Sequence, residues 1–182
     1  MQSKNYFKSV IKDRAQERTT NSSNELARRE VETIFFLLDK FFGKKFKHSN
    51  YKVVEIGCGD GYLKKFFEDR NFSYKGYDID EVDIEKDAIK LDDSSVDLVV
   101  NIGLIEALKN TENLIRESKR ILKKGGYFYT LTPNWQKSYK TFFDNPIHIT
   151  PLTPISLTTL LKSMYNFEEV QVFPGLRCKP KW

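Results

Sequence analysis

Val53-Val54-Glu55-Ile56-Gly57-Cys58-Gly59-Asp60-Gly61 is a short apolar run that carries one carboxylate and closes on three alternating glycines. The apolar part predicts a strand over 51–56, and the residues after the glycines predict a helix over 62–70. In a strand–turn–helix unit of an open α/β sheet, ligands bind just beyond the carboxyl end of the strand. Glycine lets the backbone turn sharply and come close to a ligand, so Gly57, Gly59 and Gly61 mark that place. The following helix aims its first N–H groups and its positive dipole end at the same point, so an anionic group is expected on the ligand.

Working outward, further strands are predicted over 72–79, 96–102, 127–132 and 167–173. The run 96–102 is almost wholly apolar, as befits a parallel strand covered on both faces. Helices separate the strands. One covers 111–124 and is stopped by Gly125-Gly126; another opens on a Thr153 cap with Pro154 at its first position. Upstream, Ser22 and Glu25 have capping-box spacing, and Val31, Ile34, Phe35, Leu38, Phe41 and Phe42 keep a helical period that ends near Gly43. Tyr6, Phe7, Val10 and Ile11 suggest a short helix within 1–20. Strands that alternate with helices predict a Rossmann-like, doubly wound, mostly parallel α/β sheet with helices on both faces. The 182 residues fit a single domain, with 1–46 as an N-terminal helical cover and 47–182 as the core.

The glycine spacing narrows the ligand. A dinucleotide favours Gly-x-Gly-x-x-Gly, with its pyrophosphate on the helix terminus. Here the third glycine comes one residue early and Tyr62 follows it. Glu55 would also set a carboxylate near those phosphates, whereas it suits a ligand that bears an ammonium. S-adenosylmethionine carries an ammonium, a cationic sulfonium and only one carboxylate. Charge along the chain agrees. Residues 51–109 hold 8 basic against 14 acidic side chains, while 1–50 hold 11 against 6 and 110–182 hold 11 against 5. An acidic middle favours a cationic ligand.

These residues resemble the class I methyltransferase family, whose first motif looks like 53–61; the likeness extends from about 51 to 173, roughly two-thirds of the chain. The resemblance implies S-adenosylmethionine as cofactor, held by Glu55, Gly57, Cys58, Gly59 and Gly61 at the turn. Asp78, followed by Ile79, matches the acidic residue that hydrogen-bonds the ribose hydroxyls. Asp87-Ala88 is similar to the Asp-small pair at the adenine edge. Asn101-Ile102-Gly103-Leu104 looks like the segment that lines the methionine end, and Leu122-Lys-Lys-Gly-Gly-Tyr like the turn before the family's fifth strand.

The acceptor end is sought in 132–151, a long stretch after the 127–132 strand, since long loops in compact domains tend to be functional. His148 is the first candidate for a general base, with Asp144 as a possible orienting carboxylate; the alternative is a structural histidine bonded to a backbone carbonyl. Glu106 is the second candidate base, or else a helix-start carboxylate. Trp135 and Tyr139 form a wall beside the acceptor or simply pack the loop. With 153–154 and the terminal 174–182, this stretch resembles a methyltransferase subgroup associated with surface glycans and sugar nucleotides. That implies a small-molecule acceptor, a sugar hydroxyl on a nucleotide or lipid phosphate, with Lys137, Lys140, Arg177, Lys179 and Lys181 either attracting its phosphates or solubilising the surface.

Two departures from the family pattern stand out. Almost no chain separates Asp80 from a third strand near 82–86, although a parallel crossover needs a dozen or more residues, so that strand is reduced; this bears on the Asp87 assignment. The C-terminal edge is short, covered by the N-terminal helices or used in a dimer, so the protein is expected as monomer or homodimer. A nucleic-acid methyltransferase and a noncatalytic cofactor-binding scaffold are the rival readings. Against the first, Asn101-Ile-Gly-Leu104 lacks the Asn-Pro-Pro-aromatic signature of base amino methylases, and no RNA-binding module is recognisable. Two cysteines, Cys58 and Cys178, are too few for a disulfide framework or zinc site, and no metal is expected. No secretory leader or membrane-spanning run is visible, so a cytoplasmic setting is expected.

Overall fold

The computed structural model describes residues 21–43 and 50–174. The strand read first becomes β1 (Lys52–Ile56). It pairs in parallel with β2 (Ser73–Tyr77) on one side and β3 (Val96–Ile102) on the other, and β4 (Leu122–Leu131) extends the parallel sheet beyond β3. The order β2-β1-β3-β4 means that the chain returns across β1 between β2 and β3. The carboxyl ends of β1 and β3 therefore flank the switch point where such sheets bind ligands.

Successive residues of a strand face opposite sides, and each side of this sheet has its own cover. Val53, Leu98 and Val100 meet Ala27, Val31, Ile34 and Leu38 of α1 (Asn21–Phe42) and Phe67 of α2 (Lys64–Glu68). The α1 positions are spaced four, three and four apart, one face of a helix. Val54, Ile56 and Val99 meet Leu114, Ile115 and Ile121 of α3 (Glu112–Ile121). They also meet Leu157 of α5 (Pro154–Thr158), which follows the short α4 (Trp135–Ser138) and continues as a wider turn over Thr159–Met164. Val53, Val54, Glu55 and Ile56 are consequently all buried, as the apolar run implied.

Several element boundaries differ from the sequence expectation. Ser22 falls within α1, and Gly43 closes that helix at φ +59° with its N–H on the Asp39 carbonyl. The helix expected over 62–70 shortens to α2, bracketed by turns. The helix expected over 111–124 ends at Ile121, and β4 begins on the next residue. Gly125-Gly126 instead form an irregularity within β4, where the register jumps from Val96↔Leu122 to Leu98↔Tyr127. A Cβ at Gly126 would lie 2.9 Å from the Lys123 carbonyl and 3.2 Å from that of Asp97, so the kink needs glycine there. The strand expected over 167–173 does not form. Phe167 stacks on Phe128 of β4 (5.7 Å between ring centroids), and Val170 and Val172 pack on the core without joining a ladder. The Thr153 cap is as expected, its hydroxyl accepting from Ser156 N–H (3.1 Å). The helix expected within 1–20, His48 and the tail bearing Arg177, Cys178, Lys179 and Lys181 lie outside the described residues.

The reduced third strand is a strap over residues 78–95 with neither helix nor strand. Buried backbone groups must find partners somewhere, and here α3 side chains and its end supply them. Glu117 accepts from Ile89 N–H (2.8 Å), and Arg120 donates to the carbonyls of Ile89 and Leu91 (both 2.8 Å) and to Glu117 (2.7 Å). Asn113 donates to the carbonyls of Ile84 and Asp87, while Ser94 and Ser95 N–H reach the carbonyls of Arg120 and Ile121. Val82, Ile84 and Ile89 then close over the core.

Arg120→Ala would leave Glu117 and two strap carbonyls without their partner, so thermal and urea unfolding should show a loss of about 2–4 kcal/mol. The hydrogen bonds from Arg120, with Ile89 N–H adding to them, hold the Glu117 carboxyl below its ordinary 4.5. A depressed folded-state value contributes stability above the unfolded-state value and loses it as pH falls through the folded one. The gap between wild type and Arg120→Ala should therefore be full at pH 6 and narrow as the pH drops below about 4.5; a gap unchanged at pH 3 would refute the assignment.

Candidate active site

The turn after β1 is held from inside. Gly57, Gly59 and Gly61 have φ of +77°, +57° and +72°, so L side chains would be strained at all three. Tyr77 carbonyl accepts both Gly57 N–H (2.8 Å) and Cys58 N–H (3.2 Å), Asp78 Oδ2 accepts Gly59 N–H (2.6 Å), and Cys58 carbonyl accepts Gly61 N–H (2.9 Å). These four N–H groups are thus bonded within the protein. The five-residue α2 behind it is also too short to act as a strong dipole.

What the turn offers instead is a carboxylate. Asp78 sits just past β2 with Oδ1 accepting Ile79 N–H (2.7 Å) and Oδ2 accepting Gly59 N–H. Each oxygen keeps acceptor capacity, which matches the two hydroxyls of a ribose. Open space lies in front of Gly61, where a Cβ would meet nothing within 4 Å. Asp87 and Ala88 are exposed on the strap; the Asp87 carboxylate is folded back to accept Asp83 N–H (2.9 Å).

Glu55 is 1% exposed, on the α1–α2 face of β1 beneath the turn, and accepts the Tyr74 hydroxyl at 2.5 Å. Any effect on a ligand in front of the turn would come through its field, since the carboxylate is not exposed. Burial, then the Glu55 charge, pushes the Tyr74 phenol far above its usual range. Burial and the charges of Glu55, Asp78 and Glu81 push the Cys58 thiol up to about 12, so this cysteine is a neutral filler of the turn. Gly76 makes room for it, since a Cβ there would lie 2.6 Å from Cys58 Sγ. On the same side, Tyr62 donates to Glu30 of α1. Sequence reading missed Tyr74, Tyr62 and Glu30, because their partners lie 19 and 32 residues away and no local pattern marks them.

At the carboxyl end of β3, Asn101 is fully buried, with Oδ1 accepting from the Thr130 hydroxyl (2.7 Å). Its Nδ2 has no partner among the described residues, which leaves a buried donor at the switch point. Ile102 follows, and Gly103 turns the chain at φ +69°. The short turn Ile105–Ala107 then carries Glu106 back over the strand end, its Oε1 lying 3.6 Å from where a Gly103 Cβ would stand. The loop after β4 meets it there. Ile149 and Thr150 N–H both donate to the Glu106 carbonyl (2.9 Å), Thr150 Oγ1 donates to Leu108 carbonyl (2.5 Å), and Trp135 N–H donates to Leu152 carbonyl (2.9 Å). Those tethers bring His148 Nε2 to 3.8 Å from Glu106 Oε1, with both side chains largely buried.

The structure thus joins His148 to Glu106 and leaves Asp144 exposed. His148 Nδ1 bonds the Phe142 carbonyl (2.9 Å) and Nε2 faces Asn145 Nδ2 (3.0 Å). Asp144 is exposed at the end of the turn Phe142–Asp144, so the ring is oriented by a carbonyl and an amide in place of the expected carboxylate. Trp135 packs edge-on against Phe142 (5.3 Å) and Phe143 (5.4 Å) and holds the loop's shape, whereas Tyr139 and Phe143 are largely exposed. Asn145 and Phe142 carried no sequence signal.

Among the described residues, no group of three or more His, Cys, Asp or Glu is placed to hold a metal ion, and no helix is long and apolar enough to cross a membrane. The glycine turn over a buried carboxylate, the acceptor oxygens of Asp78 and the buried Asn101 Nδ2 donor are groups that could hold S-adenosylmethionine.

A family profile described as a methyltransferase domain matches residues 25–172. A probable S-adenosylmethionine-dependent methyltransferase of Mycolicibacterium smegmatis is 34% identical over 129 residues, covering 61% of this chain and 50% of that protein. The ubiquinone biosynthesis O-methyltransferase of Pelagibacter ubique is 27% identical over 111 residues, 51% of this chain and 45% of that one. The chain thus spans about half the length of the curated relatives it matches. A crystal structure of an S-adenosylmethionine-dependent methyltransferase from Archaeoglobus fulgidus shares the fold, with a TM-score of 0.54 at 22% identity over 73% of this chain and 67% of that one. With four-fifths of its length matched by the profile and a Rossmann-like sheet that places the glycine turn at the switch point, the chain belongs to the methyltransferase domain family, and S-adenosylmethionine is its cofactor.

Proposed function

We propose that this protein transfers the methyl group of S-adenosylmethionine to a hydroxyl of a small-molecule acceptor, a sugar or a phosphorylated or nucleotide-linked sugar in a surface-glycan pathway. The observation that carries the oxygen acceptor is the Glu106–His148 pair, a buried carboxylate 3.8 Å from an imidazole beside Gly103 at the end of β3. A hydroxyl is a poor nucleophile until a base takes its proton, and such a base contributes about 10²–10⁴-fold. The O-methyltransferase among the relatives supports oxygen as the attacked atom, and the exposed Lys137 and Lys140 beside the loop suit an acceptor that carries phosphate.

When bound, S-adenosylmethionine supplies an electrophilic methyl on a cationic sulfonium. The chain's own residues do the rest. Asp78 accepts the ribose hydroxyls, and Asp87-Ala88 border the adenine. The turn at Gly57, Cys58, Gly59 and Gly61 lets the backbone approach above the Glu55 charge. Asn101, Ile102 and Gly103 line the methionine end. Glu106 would meet the acceptor hydroxyl and take its proton, with His148 behind it. Holding the reacting groups in line supplies a large part of the acceleration without further chemistry.

Calorimetry should show S-adenosylmethionine binding to the wild-type protein and binding weakened about 10- to 100-fold in Asp78→Ala, the loss of hydrogen bonds to a charged group; no binding by wild type would sink the reading. In a screen of sugar nucleotides and sugar phosphates with methyl-labelled cofactor, Glu106→Gln should lower kcat by about 10²-fold or more while leaving cofactor affinity within about twofold. Transfer only to RNA, or cofactor binding with no transfer to any pool, would replace the sugar acceptor by the corresponding rival.

A further inference from the structure

His148 has both ring nitrogens engaged, and the partners dictate its protonation. The Phe142 carbonyl can only accept, so Nδ1 carries the hydrogen across the 2.9 Å contact. Asn145 Oδ1 accepts Ile147 N–H (3.3 Å), which turns its Nδ2 toward His148 Nε2 at 3.0 Å. An amide NH₂ can only donate, so Nε2 must present a lone pair. The tautomer is thereby assigned from the network. The same residue caps the turn by accepting His148 N–H on its carbonyl (2.9 Å), so Asn145 grips the histidine at backbone and ring alike.

We infer that Asn145 is a positioning residue. By donating its side-chain N–H to His148 Nε2 in the turn that docks on Glu106, it holds the imidazole neutral and leaves Glu106 as the group that receives the acceptor's proton. The inference rests on reading Glu106 as the residue that meets the acceptor. An imidazolium with Nε2–H aimed at Oε1 across 3.8 Å would form an ion pair and make the carboxylate a weaker base. A neutral ring places no such positive charge beside the Glu106 carboxylate, whose side chain is 3% exposed. Glu106 faces the ring from the β3 turn, the exposed Asp144 lies in the histidine's own loop, and the Phe142 ring packs on it at 4.8 Å. Asn145 therefore sets the charge of the ring beside Glu106.

The test is nitrogen NMR on full-length protein labelled in histidine, with His48→Gln identifying the His148 signals, since the chain has two histidines. At pH 8 the wild-type ring should be protonated on Nδ1 and bare on Nε2. The isosteric Asn145→Asp replaces a donor by an acceptor, so its ring should take up a proton at a pH at least one unit higher than wild type. Asn145→Ala should shift the same way by less, and adding Glu106→Gln should cancel that smaller shift. A wild-type ring protonated on Nε2 at pH 8, or equal midpoints in wild type and Asn145→Asp, would overturn the inference. Cofactor binding by calorimetry should stay within twofold in both Asn145 variants. Failure of the wild type to bind S-adenosylmethionine would count against the proposed function and leave the ring assignment standing.

Discussion

One carbonyl ties the cofactor end of this protein together. Tyr77, the last residue of β2, accepts the N–H groups of both Gly57 and Cys58, so the turn leaving β1 is clamped to the neighbouring strand before it reaches any ligand. Asp78, the next residue, then takes Gly59 N–H. These donors are bonded within the protein, and the backbone of the turn lies above the buried Glu55 carboxylate. The parallel pairing of β1 with β2 sets this up, since it brings Ile56 level with Tyr77. The sheet and the turn are therefore one arrangement, and Gly76 shows the tightness of the fit by leaving just enough room for Cys58.

The strap between β2 and β3 shows how a doubly wound sheet survives with a crossover cut short. A parallel connection ordinarily spends a dozen or more residues on a helix that satisfies its own backbone. Here Glu117, Arg120 and Asn113 on α3 act as surrogate partners for the strap backbone, while Val82, Ile84 and Ile89 fill the layer that a helix would have covered. The site inherits this economy, for Asp87 and Ala88 are carried on the strap, and Glu85 accepts from Lys109 and Asn110 N–H just after the turn that bears Glu106.

The acceptor end depends on contacts made across still greater separations. Glu106 and His148 stand 42 residues apart and meet because the loop after β4 donates two backbone N–H groups to one carbonyl of the β3 turn. The expectation of an orienting Asp144 came from its place in the same loop, four residues before the histidine. The segment instead closes as a tight turn at Phe142–Asp144, which puts Asp144 outside and the Phe142 carbonyl against the ring. The structural reading left open for His148 describes its Nδ1 contact with the Phe142 carbonyl.

Local chemistry legible in the chain alone included the parallel α/β architecture, the turn at Gly57, Gly59 and Gly61, and the α1 stripe. These follow from period, glycine spacing and buried apolar runs, which act over a few residues. The shortened crossover was legible too, as missing chain. Sequence could not tell that β4 starts at Leu122 or that 167–173 packs without pairing, because apolar alternation records burial and not hydrogen bonding. Nor could it show that Glu55 is sealed beneath Tyr74, that Tyr62 reaches Glu30, or that Asn145 faces His148 with its amide. Those were decided by tertiary structure alone, since a side chain's proton and its partner depend on which distant groups the folded sheet sets within 3 Å of it.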